Sequence, residues 1–142
     1  MDPLFVASPP EAEIREALEL WPELAGKRVR PVLVTAFGDI FVETSAGDVW
    51  VASPIELTCG PVASSTDELE RLLADRCWAG LRLLTEVALL ARDQGIDRPP
   101  HQVFAIAPHP AFTGSIMAGK LVPMDLKTWH HLAAQIRLSP PG

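Results

Sequence analysis

Prolines limit the length of the elements that this chain can form. The 142 residues include 14 prolines, and several stand in adjacent pairs at 9–10, 99–100 and 140–141. Proline lacks a backbone donor and disfavours helix at the residue before it, so each pair begins or ends an element. The chain is therefore predicted to consist of short helices and strands, and its length fits one domain.

The first half of the chain predicts one helix followed by a β-meander. Residues 10–21 carry apolar side chains at helical spacing, and Ser8 is the predicted cap of this helix. Strands rich in β-branched and aromatic residues are predicted at 29–42, with an interruption at Gly38-Asp39, at 49–51 and at 55–59. Strands joined by such short turns are typical of an antiparallel sheet.

The second half predicts mostly helices. Ser65 and Glu68 have the spacing of a capping box that opens a helix over 65–73. Residues 78–94 are apolar around most of a helical circumference, which predicts a central buried helix ended by Gly95. A strand at 103–106 and a helix at 128–136 complete the pattern.

These elements predict a single-domain α+β fold in which an antiparallel β-meander sheet packs against helices. Residues 1–28 form an acidic helix and lead-in, 29–138 the main domain, and 139–142 a tail. The spacing of apolar residues predicts that the following side chains are buried: Phe37, Phe41, Val49, Leu81, Leu84, Val87 and Trp129.

The charge of the chain favours a basic protein as its partner. It has 18 Asp and Glu against 12 Lys and Arg, a formal net charge of −6. Such a surface repels phosphate, so no nucleic-acid partner is expected, whereas a cationic protein would be attracted. The alternative interpretation is that the acidity serves solubility alone. Candidate partner-binding carboxylates are Glu13, Glu16 and Glu19 in the first helix and Glu43, Asp48 and Glu56 around the hairpin.

One aromatic residue of the hairpin is a candidate anchor for the partner. Trp50 lies on a strand predicted to have one exposed face. Aromatic residues dominate the energetics of protein interfaces. The alternative interpretation is that Trp50 is an ordinary core residue.

No catalytic residue, metal site or cofactor is predicted. The four histidines and two cysteines show no metal-ligand spacing, and the histidines are expected to lie at the surface or at helix caps. There is no GxSxG motif and no phosphate-cradling loop. We therefore predict that the chain is not an enzyme.

The location expected from the sequence is the cytoplasm. The first residues have neither the basic region nor the apolar run of a signal peptide. Charges interrupt even the most apolar segment, 78–94, so no membrane association is expected. Two isolated cysteines fit reduced thiols in this compartment.

A block of residues in the meander carries a family resemblance. The run 34–42, V-T-A-F-G-D-I-F-V, is followed by A-G-D-V-W at 46–50. Together with the helix opened by Ser65, the apolar helix ended by Gly95 and the His131–Ile136 segment, it resembles the C-terminal domain of type VI secretion immunity proteins, which often follows a GAD-like segment. The resemblance covers roughly residues 30–138.

The residues of the shared block are interpreted mainly as structural and not as direct contacts with a toxin. Gly38 is expected to permit a bend or bulge that only glycine tolerates cheaply, and Asp39 to satisfy turn amides. Phe37 and Phe41 are expected to pack inward.

The resemblance implies an immunity protein that binds a cognate secreted antibacterial toxin one-to-one and occludes its active site. Some members of this family neutralise DNase effectors, and an acidic inhibitor suits a nuclease because it imitates phosphate in a basic cleft. An adaptor or chaperone of a secreted effector is the alternative, and an enzyme that reverses toxin damage is a third. Rescue of intoxicated cells separates the inhibitor from the adaptor, and stoichiometry separates it from the enzyme.

Overall fold

The structure is a computed structural model that describes residues 1–141; Gly142, the end of the predicted tail, lies outside the described residues. It confirms an α+β fold with an antiparallel meander. Within residues 1–141 the helices are α1 (Glu11–Leu18), α2 (Thr66–Ala74), α3 (Arg76–Arg82), α4 (Thr85–Asp93), α5 (Pro110–Thr113) and α6 (Leu126–Leu138). The strands are β1 (Val29–Val34), β2 (Ile40–Thr44), β3 (Val49–Ser53), β4 (Thr58–Ala63), β5 (Val103–Ala107) and β6 (Lys120–Met124).

The four-stranded sheet runs in the order β1-β2-β3-β4, and its two central strands, β2 and β3, are buried on both faces. Alternation along the strands sends Ile40, Val42 and Ala52 to one face, where they meet α1 and α6. It sends Phe41, Val49 and Val51 to the other face, where they meet α2 and the half-buried Trp78 of α3. Two apolar faces explain why 40–42 is an unbroken hydrophobic run.

A second, two-stranded sheet closes one end of the domain. β5 pairs antiparallel with β6, and the amide of Phe104 donates to the carbonyl of Ala36 at the end of β1, 2.7 Å away. The rings of Phe37 and Phe104 lie 5.8 Å apart, and Ala88 and Ala91 of α4 complete this cluster. The β1–β2 turn is thereby held between β5 and α4.

Three of the four outer strands contain a proline. The outer strands of the large sheet are β1 with Pro31 and β4 with Pro61, and β6 of the small sheet contains Pro123, whereas β5 contains none. A proline interrupts the row of amide donors that an added strand would need. Strands β1, β4 and β6 are thus poorly suited to binding another strand.

The predicted central helix over 78–94 is wrong in two respects. It is broken into α3 and α4 at Leu84, whose φ of 53° is in the left-handed region. It is also not central, because α3 has no buried residue and Leu81 is 78% exposed. Leu84 and Val87 are half-buried, whereas Phe37, Phe41, Val49 and Trp129 are buried as predicted. A helix that is apolar around its circumference does not indicate which face packs inward. In the structure Leu83 and Ala88 are among the residues that are buried.

Local signals near the other helices are mostly confirmed. The Ser65 hydroxyl accepts from the amide of Glu68 at 3.1 Å, and Gly95 follows α4 with a φ of +72°. Ser8 does not cap α1, because Pro10 occupies the cap position and the Ser8 amide donates to Pro100. The fourth strand begins at Thr58, after a turn over 54–57, instead of at residue 55.

Candidate partner-binding site

The Phe37-Gly38-Asp39 block forms the turn between β1 and β2. The amide of Thr35 donates to the Asp39 carbonyl at 2.9 Å, and the amide of Gly38 donates to the Thr35 carbonyl at 3.0 Å. The Asp39 amide donates to the Thr35 hydroxyl at 3.1 Å. The expectation that the Asp39 side chain satisfies these amides is therefore wrong, since Thr35 does so.

Two side chains of helix α6 form hydrogen bonds with backbone carbonyl groups of this turn. The indole nitrogen of Trp129 donates to the Phe37 carbonyl at 3.0 Å, and Nε2 of His130 lies 2.6 Å from the Gly38 carbonyl. Gly38 has a φ of +92°, and a Cβ there would lie 2.7 Å from Cδ1 of Trp129. The turn needs glycine both for its backbone conformation and for the close approach of the indole.

His130 is a core residue, contrary to the expectation of surface or capping histidines. It is fully buried, and its Nδ1 accepts from the indole nitrogen of Trp21 at 2.9 Å. Its Nε2 must then carry the hydrogen that is donated to Gly38. Burial lowers the pKa of His130 to about 4. His109 fits the expectation of a cap, because its Nδ1 accepts from the amide of Ala111.

We expect His130 to remain neutral in the Nε2–H form from about pH 8 down to about pH 5, because protonation of Nδ1 would oppose the Trp21 donor. Two-bond ¹H–¹⁵N correlation spectra of the imidazoles measure this state directly. The exposed His131 serves as an internal comparison. Titration of His130 with a midpoint near the ordinary value of 6.5 would contradict the buried network.

Asp39 is a second buried titratable group of the turn. It is 6% exposed, and among the described residues its Oδ1 has no hydrogen-bond partner. Burial raises the pKa of Asp39 to about 7, and the Ser53 hydroxyl and the Arg82 guanidinium act in the opposite direction. The carboxyl group is therefore structural and is not available to a partner.

A groove of about 570 Å³ lies between α1 and the edge strand β1. Its charged lining residues are Glu11, Arg15, Glu19, Lys27 and Arg30. The indole of Trp21 and Pro22 contribute apolar surface. We call this feature the α1–β1 groove.

The groove brings together parts of the two predicted carboxylate sets. Glu19 lines one wall, and Arg30 on the other wall pairs with Glu43 at 2.6 Å. Lys27 lies over the half-buried ring of Trp50, 4.7 Å from its centroid. Glu43 and Trp50 of the hairpin therefore contact residues of the groove, namely Arg30 and Lys27. These two cationic residues were not predicted from the sequence as part of the site.

Asp48 orients the Trp50 side chain. The indole nitrogen of Trp50 donates to Oδ2 of Asp48 at 2.9 Å, and the Thr44 hydroxyl donates to the other carboxylate oxygen. These two donors lower the pKa of Asp48, with Thr44 having the larger effect. The carboxylate is thus held charged beside Trp50, and it fixes which edge of the indole faces solvent.

The remaining candidates lie elsewhere. The Glu13 carboxylate accepts a hydrogen bond from the backbone amide of Lys127 at 3.2 Å. The Glu16 carboxylate pairs with the side-chain ammonium group of Lys127 at 2.9 Å, so both residues connect α1 to α6. Glu56 lies on the β3–β4 turn, 3.6 Å from Arg82. These three carboxylates are engaged within the chain.

Within 1–141 no three His, Cys, Asp or Glu side chains form a group suited to a metal ion. In the same range no helix combines the length and apolar character that crossing a bilayer requires. Comparison with protein-family models, with curated proteins and with solved structures finds no match to this chain.

Proposed function

We propose that this chain is an immunity protein that binds a cognate secreted antibacterial toxin one-to-one in the cytoplasm and neutralises it. The observation that carries the proposal is the uneven distribution of charge. Residues 31–70, which contain most of the large sheet, have no Lys or Arg, and their seven acidic residues are Asp39, Glu43, Asp48, Glu56, Asp67, Glu68 and Glu70.

This distribution suits a cationic partner. All 12 Lys and Arg lie outside residues 31–70, and two of them, Arg30 and Arg82, pair with Glu43 and Glu56. Because Asp39 is buried, the excess negative charge of this segment lies on Asp48, Asp67, Glu68 and Glu70. A concentrated field of one sign accelerates encounter with a surface of the opposite sign. A toxin that acts on nucleic acid presents such a surface at its cleft, where carboxylates take the place of phosphates.

The proposed anchor, Trp50, lies beside the α1–β1 groove, from which Lys27 reaches over its ring. Trp50 is half-buried, so its ring is rigidly supported while one part remains accessible. Lys27 covers the ring in the free chain, and displacement of a flexible lysine leaves the aromatic surface open to a partner. Glu19 is exposed at the groove and forms no ion pair within the described residues.

Binding is proposed to use side chains and not strand addition. Pro31 lies in the edge strand that borders the groove, and the register between β1 and β2 shifts next to it. Both features oppose the addition of a strand from a partner. A side-chain interface also fits the resemblance drawn from the Phe37–Phe41 block, because that block is buried and leaves recognition to the surface.

Replacement of the proposed anchor, Trp50→Ala, is expected to weaken toxin binding about 30-fold, mainly through faster dissociation, because a supported aromatic side chain is typical of a hot spot. Stopped-flow binding measures both rates, and circular dichroism checks the fold. Trp78→Ala is the matched control, since Trp78 is also half-buried beside a cation, Arg82, but packs on the opposite face of the sheet. Equal loss in both variants would exclude the groove as the interface.

The functional experiment uses the product of the neighbouring gene, which the proposal expects to be the cognate toxin. Host cells that express the toxin alone should die, and cells that also express this chain should survive. Purified toxin and chain should associate at a rate that falls about tenfold when salt rises from about 50 to about 500 mM. A complex that forms without rescue would indicate an adaptor, and absence of a complex would contradict the proposal.

A further inference from the structure

Helices α3 and α4 present apolar side chains that the fold does not cover. Leu81 on α3 is 78% exposed and Leu90 on α4 is 41% exposed, and α3 contains no buried residue. Met117, 62% exposed, lies next to Leu90. Exposed apolar side chains close together are typical of a surface that contacts another protein.

A groove of about 390 Å³ lies at the centre of this surface. Leu81, Leu84 and Val87 line it, with Cys77 and Gly80 between them. Gly80 leaves its floor open, because a Cβ there would meet only the Thr85 hydroxyl, at 3.5 Å. The groove therefore accepts an apolar side chain from outside.

Two side chains of opposite charge line this groove, Arg76 on α3 and Glu86 on α4. Both are exposed, and neither forms an ion pair within residues 1–141. A second copy related by a two-fold axis brings the same unpaired cation and anion to the groove, so that Arg76 of each chain can pair with Glu86 of the other.

We propose that the occupant of this groove is a second copy of the chain, in a symmetric dimer. Leu81 of each copy inserts beside Gly80 of the other, and two Arg76–Glu86 pairs flank the contact. An isologous interface requires a patch that is complementary to itself, and this surface combines an exposed leucine with a groove, and an unpaired cation with an unpaired anion. The α1–β1 groove belongs to another part of the chain, so the dimer leaves the proposed toxin site open and does not depend on the proposed function.

Charge reversal tests the pairing. Sedimentation velocity of the purified chain should show a concentration-dependent dimer. Arg76→Glu and Glu86→Arg should each weaken dimerisation about tenfold, because every reversal affects both symmetric pairs. The double variant should restore the dissociation constant to within about threefold of the original. A monomer at about 500 µM, or singles that dimerise normally, would overturn the proposal.

The apolar contact has its own test. Leu81→Lys should weaken the dimer about 100-fold, whereas Leu138→Lys, at an 85% exposed position on α6, should leave it unchanged. A short bismaleimide should link two copies through the exposed Cys77, one turn from Leu81, and the link should disappear in Leu81→Lys. Both lysine variants are expected to fold, because neither leucine is buried. Equal dimerisation by both variants would contradict the assignment.

Discussion

Asp39→Asn is expected to stabilise the chain by about 4 kcal/mol at about pH 8 and to change its stability little at about pH 4. The pKa of Asp39 is about 7 in the folded chain against a usual value of 3.8, so the folded state binds the proton more tightly. The free energy of unfolding therefore falls as pH rises between these two values. Asparagine has a similar shape but no charge, so the variant does not lose free energy of unfolding as the pH rises.

Urea denaturation of both proteins at the two pH values measures the effect. The lowered pKa of His130 changes stability in the opposite direction, since it destabilises the fold as pH falls from about 6.5 to about 4. That contribution is common to both proteins and cancels in the difference. Glu56→Gln, which removes an exposed charge near the same Arg82, is the control. An Asp39→Asn effect that is independent of pH would contradict the buried carboxylate.

Gly38→Ala is expected to destabilise the chain by about 3 kcal/mol. The left-handed backbone of Gly38 costs an alanine about 1 kcal/mol, and the contact with Trp129 adds about 2 kcal/mol because the indole is held by its hydrogen bond to Phe37.

Gly47→Ala is the matched control for this prediction. Gly47 has nearly the same φ, +93°, but no atom lies within 4 Å of a Cβ built there. Its replacement should cost only about 1 kcal/mol. Urea denaturation of the two variants isolates the steric contribution of Trp129. If both variants lost the same stability, α6 would not rest on the β1–β2 turn as described.

Local features of this fold were predictable from the sequence. The Ser65 cap, the glycine after α4 and the meander depend on residues close to one another in the chain, and they follow from hydrogen bonding and backbone preference. The burial of Phe37 and Phe41 follows from alternation on strands.

Features set by tertiary contacts were not predictable. Nothing local marks the break at Leu84, since neither glycine nor proline stands there, and the helical pattern continues across it. His130 is buried because Trp21, 109 residues away, supplies a hydrogen bond. Both outcomes depend on how the elements pack, which periodicity does not specify.

The candidate site was likewise predictable only in part from the sequence. The sequence indicated acidic residues on α1 and on the hairpin, but not that Lys27 and Arg30 stand between them. It also did not distinguish free carboxylates from those that hold the fold together. Glu13 and Glu16 fasten α6, whereas Glu19 faces the groove, and only the packing of α1 separates these roles.

Titration of toxin activity tests whether this chain neutralises a toxin by stoichiometric binding. Purified chain is added in steps to a fixed amount of the proposed cognate toxin, well above the dissociation constant, and the residual activity is measured. The residual activity should fall linearly to zero at one equivalent. Undiminished activity at a large excess of the chain, or full protection at a small fraction of an equivalent, as an enzyme would give, would contradict it.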